Sequence, residues 1–162
     1  MRSAPVWVRR RNCMSHNLFP LFIDLNGRHV LVYGGGNIAA RRVGTLAHFG
    51  PRLTVIAPEF REEFAQLDCA CICGQFDPAA MPMVDCVLAC TNDKSVNHEI
   101  ALVCRSRGIP VNSASNQDDC DFHFPAVALF DPLVVGINAG GRDHRLVKRA
   151  AEKIRALLEN II

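Results

Sequence analysis

The stretch Arg28-His-Val-Leu-Val-Tyr-Gly-Gly-Gly-Asn-Ile-Ala39 decides how the rest of the chain is read. Its first half is a short apolar run with β-branched residues, the pattern of a central parallel strand buried on both faces. The run stops at three glycines. From Asn37 to Phe49 the apolar positions Ile38, Val43 and Leu46 then recur at helical spacing, until Gly50-Pro51 ends the helix. Leu53-Thr-Val-Ile-Ala57 follows as a second strand and ends at Pro58.

Strand, glycine turn, helix and second strand together make a β-α-β unit, and the turn itself reads G-x-G-x-x-A. A turn of this kind is a weak signal alone. It gains weight from the strand before it, the helix after it and the second strand about twenty residues on. Gly34 permits the tight turn, Gly36 lets the backbone approach a pyrophosphate, and Ala39 is small enough to keep helix and strand close. The amides of Gly34, Gly35, Gly36, Asn37, Ile38 and Ala39 then face phosphate charge at a helix N-terminus. A dinucleotide-binding Rossmann unit over residues 26–112 is the expectation. The acid that holds an adenosine ribose belongs at the end of the second strand, where Ala57 stands; Glu59 is within reach, and Arg61 could instead meet a 2′-phosphate. NAD is the expected cofactor.

The alternation continues with a helix around 59–67, a strand around 69–73, a helical turn at 78–83, a strand at 86–89, a helix over 95–107 and a strand at 109–112. Strands separated by helices argue for a doubly wound parallel sheet. From Phe122 the pattern changes to two strands, 122–130 and 133–138, joined at Asp131-Pro132, and then to an amphipathic helix over 145–159. Leu146, Ala150, Ile154, Leu157 and Leu158 form its apolar stripe. The fold class expected is α/β: a Rossmann-type doubly wound parallel sheet followed by a small β-hairpin dimerisation element and a C-terminal helix. The division expected is a disordered basic arm over 1–17, a cofactor domain over 18–115 and a dimerisation hairpin and helix over 116–162. The hairpin has too many apolar residues for an exposed two-stranded ribbon, so a homodimer is expected through it.

Composition narrows the function classes. A chain of 162 residues has room for one full core with a small appendage. Its apolar runs fall short of the ~18 residues of a membrane span, and no membrane partner is expected. The net charge of +2 comes from Arg2, Arg9, Arg10 and Arg11; the other basic residues leave a net −2 against the 16 acids, so no nucleic-acid face is expected. The arm carries no signal-peptide core, and Met14 offers an alternative translation start. Eight cysteines without a secretory signal read as reduced thiols of a cytoplasmic protein. Cys69, Cys71 and Cys73 alternate as buried or half-buried strand residues on one face, without the paired C-x2-C spacing of a zinc site, and no metal ligand is assigned.

The line Leu18-Phe-Pro-Leu-Phe-Ile-Asp-Leu-Asn-Gly, running on to Arg42, resembles the opening of the precorrin-2 dehydrogenase family, the N-terminal module of siroheme synthases. Further matches follow in order: Thr54-Val-Ile-Ala-Pro58, Ala89-Cys-Thr-Asn-Asp93 with Asn97, Gly108-Ile-Pro-Val-Asn112, Cys120-Asp-Phe-His-Phe-Pro-Ala126, and Gly140-Gly141. The resemblance implies NAD-dependent oxidation of precorrin-2 to sirohydrochlorin, in some members joined to iron insertion, by a homodimer. It adds Pro58, Thr91 and Asn92 to the cofactor residues. Relatives carry Asn-Val-Val-Asp after the fifth strand, whose aspartate is the family's proposed acid/base and chelation residue; here Asn112-Ser-Ala-Ser115 places Ser115 there. Relatives also continue beyond the position of Ile162 as a helical segment.

The candidate catalytic groups are therefore Ser115 and the acids Asp118, Asp119 and Asp121, any of which could replace the missing carboxylate. Asn112, His123, Arg142 and His144 are the candidate substrate residues, the last two because a tetrapyrrole rich in carboxylates demands cations. Solvated-loop and surface roles stand beside each of these. At the level of the whole chain, the alternative to an enzyme is a binding protein that keeps NAD or tetrapyrrole and acts as a sensor or partner subunit; a Rossmann dehydrogenase of unrelated type is the remaining class.

Overall fold

The structure is a computed structural model that describes residues 18–159, so the basic arm expected over 1–17 lies outside the described residues. Strand β1 (His29–Tyr33) is central because Val30, Leu31 and Val32 are wholly buried and need cover on both faces. Around it β2 (Arg52–Ala57), β3 (Ala70–Cys73), β4 (Cys86–Ala89) and β5 (Val111–Ser113) form a parallel sheet of order β3-β2-β1-β4-β5.

The period-two alternation of β1 sends its side chains to two cores. Val30 and Val32 join Val55, Leu88 and the helix α1 (Asn37–Ala47), which contributes Ala39, Val43 and Leu46. Leu31 and Tyr33 join Val87, Val111 and the helix α2 (Lys94–Ser106), which contributes Ile100, Ala101 and Cys104. The sheet is therefore doubly wound. Because β2 lies on one side of β1 and β4 on the other, the loops after β1 and β4 part at the carboxyl edge, where such sheets bind ligands.

The two remaining strands, β6 (Ala126–Phe130) and β7 (Leu133–Ile137), form an antiparallel hairpin packed against α3 (His144–Glu159). Arg155 of α3 donates to the Val127 carbonyl at 2.7 Å. No helix among the described residues is long and apolar enough to cross a membrane.

Several expectations need correction. The helix expected over 59–67 is only a 3-10 turn, Glu62–Gln66, with Phe64 as its one buried residue; a segment this short pays for nucleation without room to propagate. The helical turn expected at 78–83 is a plain turn at 78–80, since Pro78 and Pro82 deny it amide donors; Arg107 instead binds the carbonyls of Pro78 and Met81 at 2.6 and 2.7 Å. Pro110 and Pro125 likewise delay β5 and β6, so Phe122, His123 and Phe124 lie before the hairpin, and the two phenylalanines pack on the core of α1. Cys71 and Cys73 are exposed and Cys69 half-exposed, because β3 is the edge strand and no full helix covers it. In α3, Ala151 and Leu158 are buried, whereas Leu146 and Leu157 of the expected stripe face solvent.

Candidate functional site

The carboxyl ends of β1, β2, β3 and β4 are tied together by backbone bonds that run on past the strands: Gly34 N–H to Ile56 at 2.9 Å, Cys90 N–H to Tyr33 at 2.8 Å and Gly74 N–H to Ala57 at 3.0 Å. Above this edge lies a cleft of about 640 Å3, of the size that small ligands occupy. Gly34, Gly35, Gly36, Asn37 and Pro58 line it together with Thr91 and Asn92. Ala39 is buried in the core beneath, and Ile38 is exposed on the first turn of α1. Most of the expected cofactor residues are thus gathered round one opening. Tyr33, Glu59, Phe60, Arg61, Phe76 and Glu99 also line it.

The three glycines have three different reasons. Gly34 has φ +118°, and a Cβ there would overlap the Cys90 carbonyl of the neighbouring strand end. A Cβ on Gly35 would run into the Glu59 carbonyl; its own carbonyl accepts from Arg61 N–H at 3.1 Å. At Gly36 a Cβ would meet nothing nearer than Asn92 Oδ1 at 3.8 Å, so this position looks into the open cleft. Helix α1 has no side-chain cap at Gly36 and no acid in its first turn, so its leading amides are left for an anion. Helix α2 is the contrast: Asp93 accepts from Ser95 N–H at 2.7 Å and Val96 N–H at 3.4 Å, and the Ser95 hydroxyl and these amides hold its carboxyl below the ordinary carboxylate range. An anionic, two-lobed ligand such as a dinucleotide pyrophosphate fits the first helix and not the second.

At the far end of β2, the Arg61 guanidinium is occupied by Glu63, with Nε at 3.1 and 3.2 Å from its two oxygens. Glu59 remains exposed on the cleft wall. On the opposite wall the buried Asn97 holds Thr91: its Oδ1 accepts from Thr91 N–H at 3.0 Å and from the Thr91 hydroxyl at 2.8 Å, while Nδ2 donates to the Thr91 carbonyl at 3.0 Å and to Ser115 Oγ at 3.2 Å.

The expected catalytic and substrate residues are spread over β5, the loop after it and the start of α3, and none lines the cleft itself. Ser115 is half-buried, with its Oγ 3.1 Å from Ser113 Oγ. Asp118 is exposed. Asp119 is buried and engaged by His98 Nδ1 at 2.8 Å, Asn116 Nδ2 at 3.2 Å and Arg105 at 3.8 Å. Asp121 accepts from Val111 N–H at 3.0 Å and so fastens the start of β5. Asn112 donates to the Phe122 carbonyl at 2.6 Å, and its buried Oδ1 has no partner. His123 is half-buried between the two core phenylalanines, and Arg142 and His144 are exposed at the start of α3. Gly141 abuts the Gln117 side chain, which brings the start of α3 against the loop that carries Ser115 and Asp118. No group of three or more metal-ligating side chains occurs among the described residues.

Asn97 carries a role that residue reading alone did not assign, and Gly35, expected among the cofactor residues, is fixed by packing against the Glu59 carbonyl. The only signal for Asn97 was its place in the Thr91-Asn-Asp93 match, six residues on.

The model of the NAD(P)-binding family NAD_binding_7 matches residues 21–126. The Ruminiclostridium josui protein named "Probable multifunctional siroheme biosynthesis protein HemA" is 41% identical over 144 residues, covering 86% of this chain and 28% of that one. A siroheme synthase of Psychrobacter sp. is 35% identical over 150 residues, covering 90% and 30%. The chain thus spans less than a third of the length of these curated relatives. Among solved structures, "SirC, precorrin-2 dehydrogenase" superposes with a TM-score of 0.71 at 29% identity, over 86% of this chain and 71% of that one. With one family matched from Leu21 to Ala126, and siroheme synthases and a precorrin-2 dehydrogenase as its relatives, this chain belongs to the NAD(P)-binding family.

Proposed function

We propose that this protein is an NAD-dependent dehydrogenase that oxidises precorrin-2 to sirohydrochlorin in siroheme biosynthesis, in the cytoplasm and as a homodimer. The observation that carries the reading is the open cleft at the sheet's switch point, in a fold shared with a precorrin-2 dehydrogenase over 86% of the chain. NAD, when bound, supplies the hydride acceptor. The protein's part is placement. Gly36 leaves the pyrophosphate its approach, the uncapped N-terminus of α1 meets its charge, and Thr91 and Asn92 close the other wall. Glu59 accepts from a ribose hydroxyl, while Arg61, neutralised by Glu63, is a poor partner for a 2′-phosphate; NAD is favoured over NADP for that reason.

Oxidation removes a hydride and a proton from the tetrapyrrole, so the products are sirohydrochlorin, NADH and a proton. A serine at position 115 cannot take that proton at neutral pH as a carboxylate does. Of the three neighbouring acids, Asp119 and Asp121 are committed to His98, Arg105 and the start of β5, which leaves exposed Asp118 as the acid free to serve as base. Arg142 and His144, both exposed near the start of α3, are the cations that would meet substrate carboxylates. We assign residues 18–115 to cofactor binding and 116–162 to dimerisation, with metal insertion weak or absent for want of the carboxylate at 115.

The test is to mix purified protein with precorrin-2 and NAD and follow sirohydrochlorin absorbance. Conversion that needs both protein and NAD supports the proposal. Tight binding of NAD or sirohydrochlorin without any conversion would replace it by a sensor or partner subunit.

A further inference from the structure

We infer that Asn97 is a positioning residue that fixes the end of β4 and Ser115 as one unit and presents the Ser115 hydroxyl to the site as a hydrogen-bond donor. The argument begins with the orientation of a buried amide. A backbone N–H can only donate and a backbone carbonyl can only accept. Thr91 offers Asn97 one of each, at 3.0 Å on either side, so the oxygen and nitrogen of the Asn97 amide have a single consistent assignment. The Thr91 hydroxyl proton lies between two acceptors, Asn97 Oδ1 at 2.8 Å and the Asp93 carbonyl at 2.9 Å, and the nitrogen's second hydrogen goes to Ser115 Oγ. Both hydrogens of the amide are used, in a residue with no exposed surface.

The polarity then passes to Ser115. Its oxygen accepts from Asn97, so its own proton is directed away from Asn97, toward Ser113 Oγ or a ligand acceptor. Ser113 Oγ already accepts from Ser115 N–H at 3.3 Å, which pins the same turn from the other side. The arrangement suits any acceptor at position 115: an N–H aimed at a hydroxyl oxygen would hold a carboxylate oxygen as well. A single amide therefore joins the wall of the cofactor cleft, at Thr91, to the loop after β5 that carries Ser115. In the proposed reaction Ser115 would hold an acceptor atom of the tetrapyrrole, and the distance between that atom and the cofactor would be set through Asn97. This role rests on the dehydrogenase reading.

Two variants of the full chain test it. Ser115→Ala removes only the oxygen that Asn97 holds; NAD affinity by calorimetry should stay within about twofold, while kcat for precorrin-2 falls about tenfold or more. Asn97→Asp keeps the side chain's shape and both bonds from Thr91, but sets a carboxylate oxygen against the Thr91 carbonyl and claims the Ser115 proton. Burial and that carbonyl favour its protonated form, which recovers one donor. NAD affinity in Asn97→Asp should therefore weaken as pH rises from about 6 to about 8, a dependence absent from the parent protein. Combined with Ser115→Ala, it should lower kcat no further than the larger single loss, since both act through one hydroxyl. Additive losses would overturn the inference, as would NAD affinity in Asn97→Asp that ignores pH. If the parent protein does not oxidise precorrin-2, the proposed function falls, and the pH response of NAD affinity still decides the role of Asn97.

Discussion

Gly34, Gly35 and Gly36 look alike in the sequence and differ in what stands beside them. The first two are pressed against carbonyls of neighbouring strand ends, and only the third opens on the cleft. Gly36→Asp should therefore fold with a melting temperature near that of the parent and lose NAD binding through a clash and like-charge repulsion at the pyrophosphate position. Gly35→Ala should instead cost stability, by roughly 1–3 kcal/mol for an overpacked contact, read as a lower urea midpoint. Calorimetric NAD affinity and unfolding of the two variants separate binding from packing. The substitution Ser115→Asp belongs to the same scale. Asn97 is already aimed to hold an acceptor there, so the variant should fold; it gives up the hydroxyl donor, a loss of about tenfold, but supplies a general base worth ~10²–10⁴-fold, so dehydrogenase turnover should rise by at least about tenfold unless Asp118 already fills the role. An Asp118→Ala variant run beside it shows which carboxylate works: if it loses turnover, Asp118 is the base. The glycine turn was legible in the sequence because its spacing is local. Asn97 was not, because its partners sit at positions 91 and 115, and only the sheet brings those together.

At the scale of elements, the β-α-β unit was legible because apolar period and glycine breaks agree over Arg28 to Ala57, and the structure follows them to within a residue or two. The segments misread as helices, 59–67 and 78–83, are short and carry prolines at their edges; what fixes them is Phe64 in the core and the Arg107 guanidinium at the end of α2. Caps separate the two main helices by function. The hydrogen bonds from Ser95 and Val96 lower the carboxyl pKa of Asp93, so its stabilisation is present above the ordinary carboxylate range and is lost as pH falls through the depressed value. Asp93→Ala should lower the melting temperature by a few degrees at neutral pH, and the gap from the parent should close in acid below about pH 4. The hairpin makes its own claim. Leu129 and Val134 are directly paired across its strands, and both are about 40% exposed, a poor arrangement for a free surface. If this face pairs with its copy, Leu129→Lys should turn a dimer into a monomer by analytical ultracentrifugation at micromolar concentration, with little change in NAD affinity; a parent protein already monomeric there would remove the dimer from the account.

For the whole molecule, the sheet order β3-β2-β1-β4-β5 sets the cleft at the carboxyl edge, and residues 116 to 159 then build a loop, a hairpin and a helix. Gly141 against Gln117, next in sequence to Asp118, is the contact that draws the start of α3 to the loop after β5. A reaction that moves a hydride to NAD and a proton to a nearby base needs the cleft and the polar loop close together, and Asn97 joins them through Thr91 and Ser115. The most direct measurement is the stoichiometry of a limited reaction, with precorrin-2 as the limiting reagent and NADH and sirohydrochlorin followed together. The account predicts that the two appear in equal amounts and at the same rate, and that neither appears with Gly36→Asp. Sirohydrochlorin formed without NADH, or formed equally well by Gly36→Asp, would contradict it.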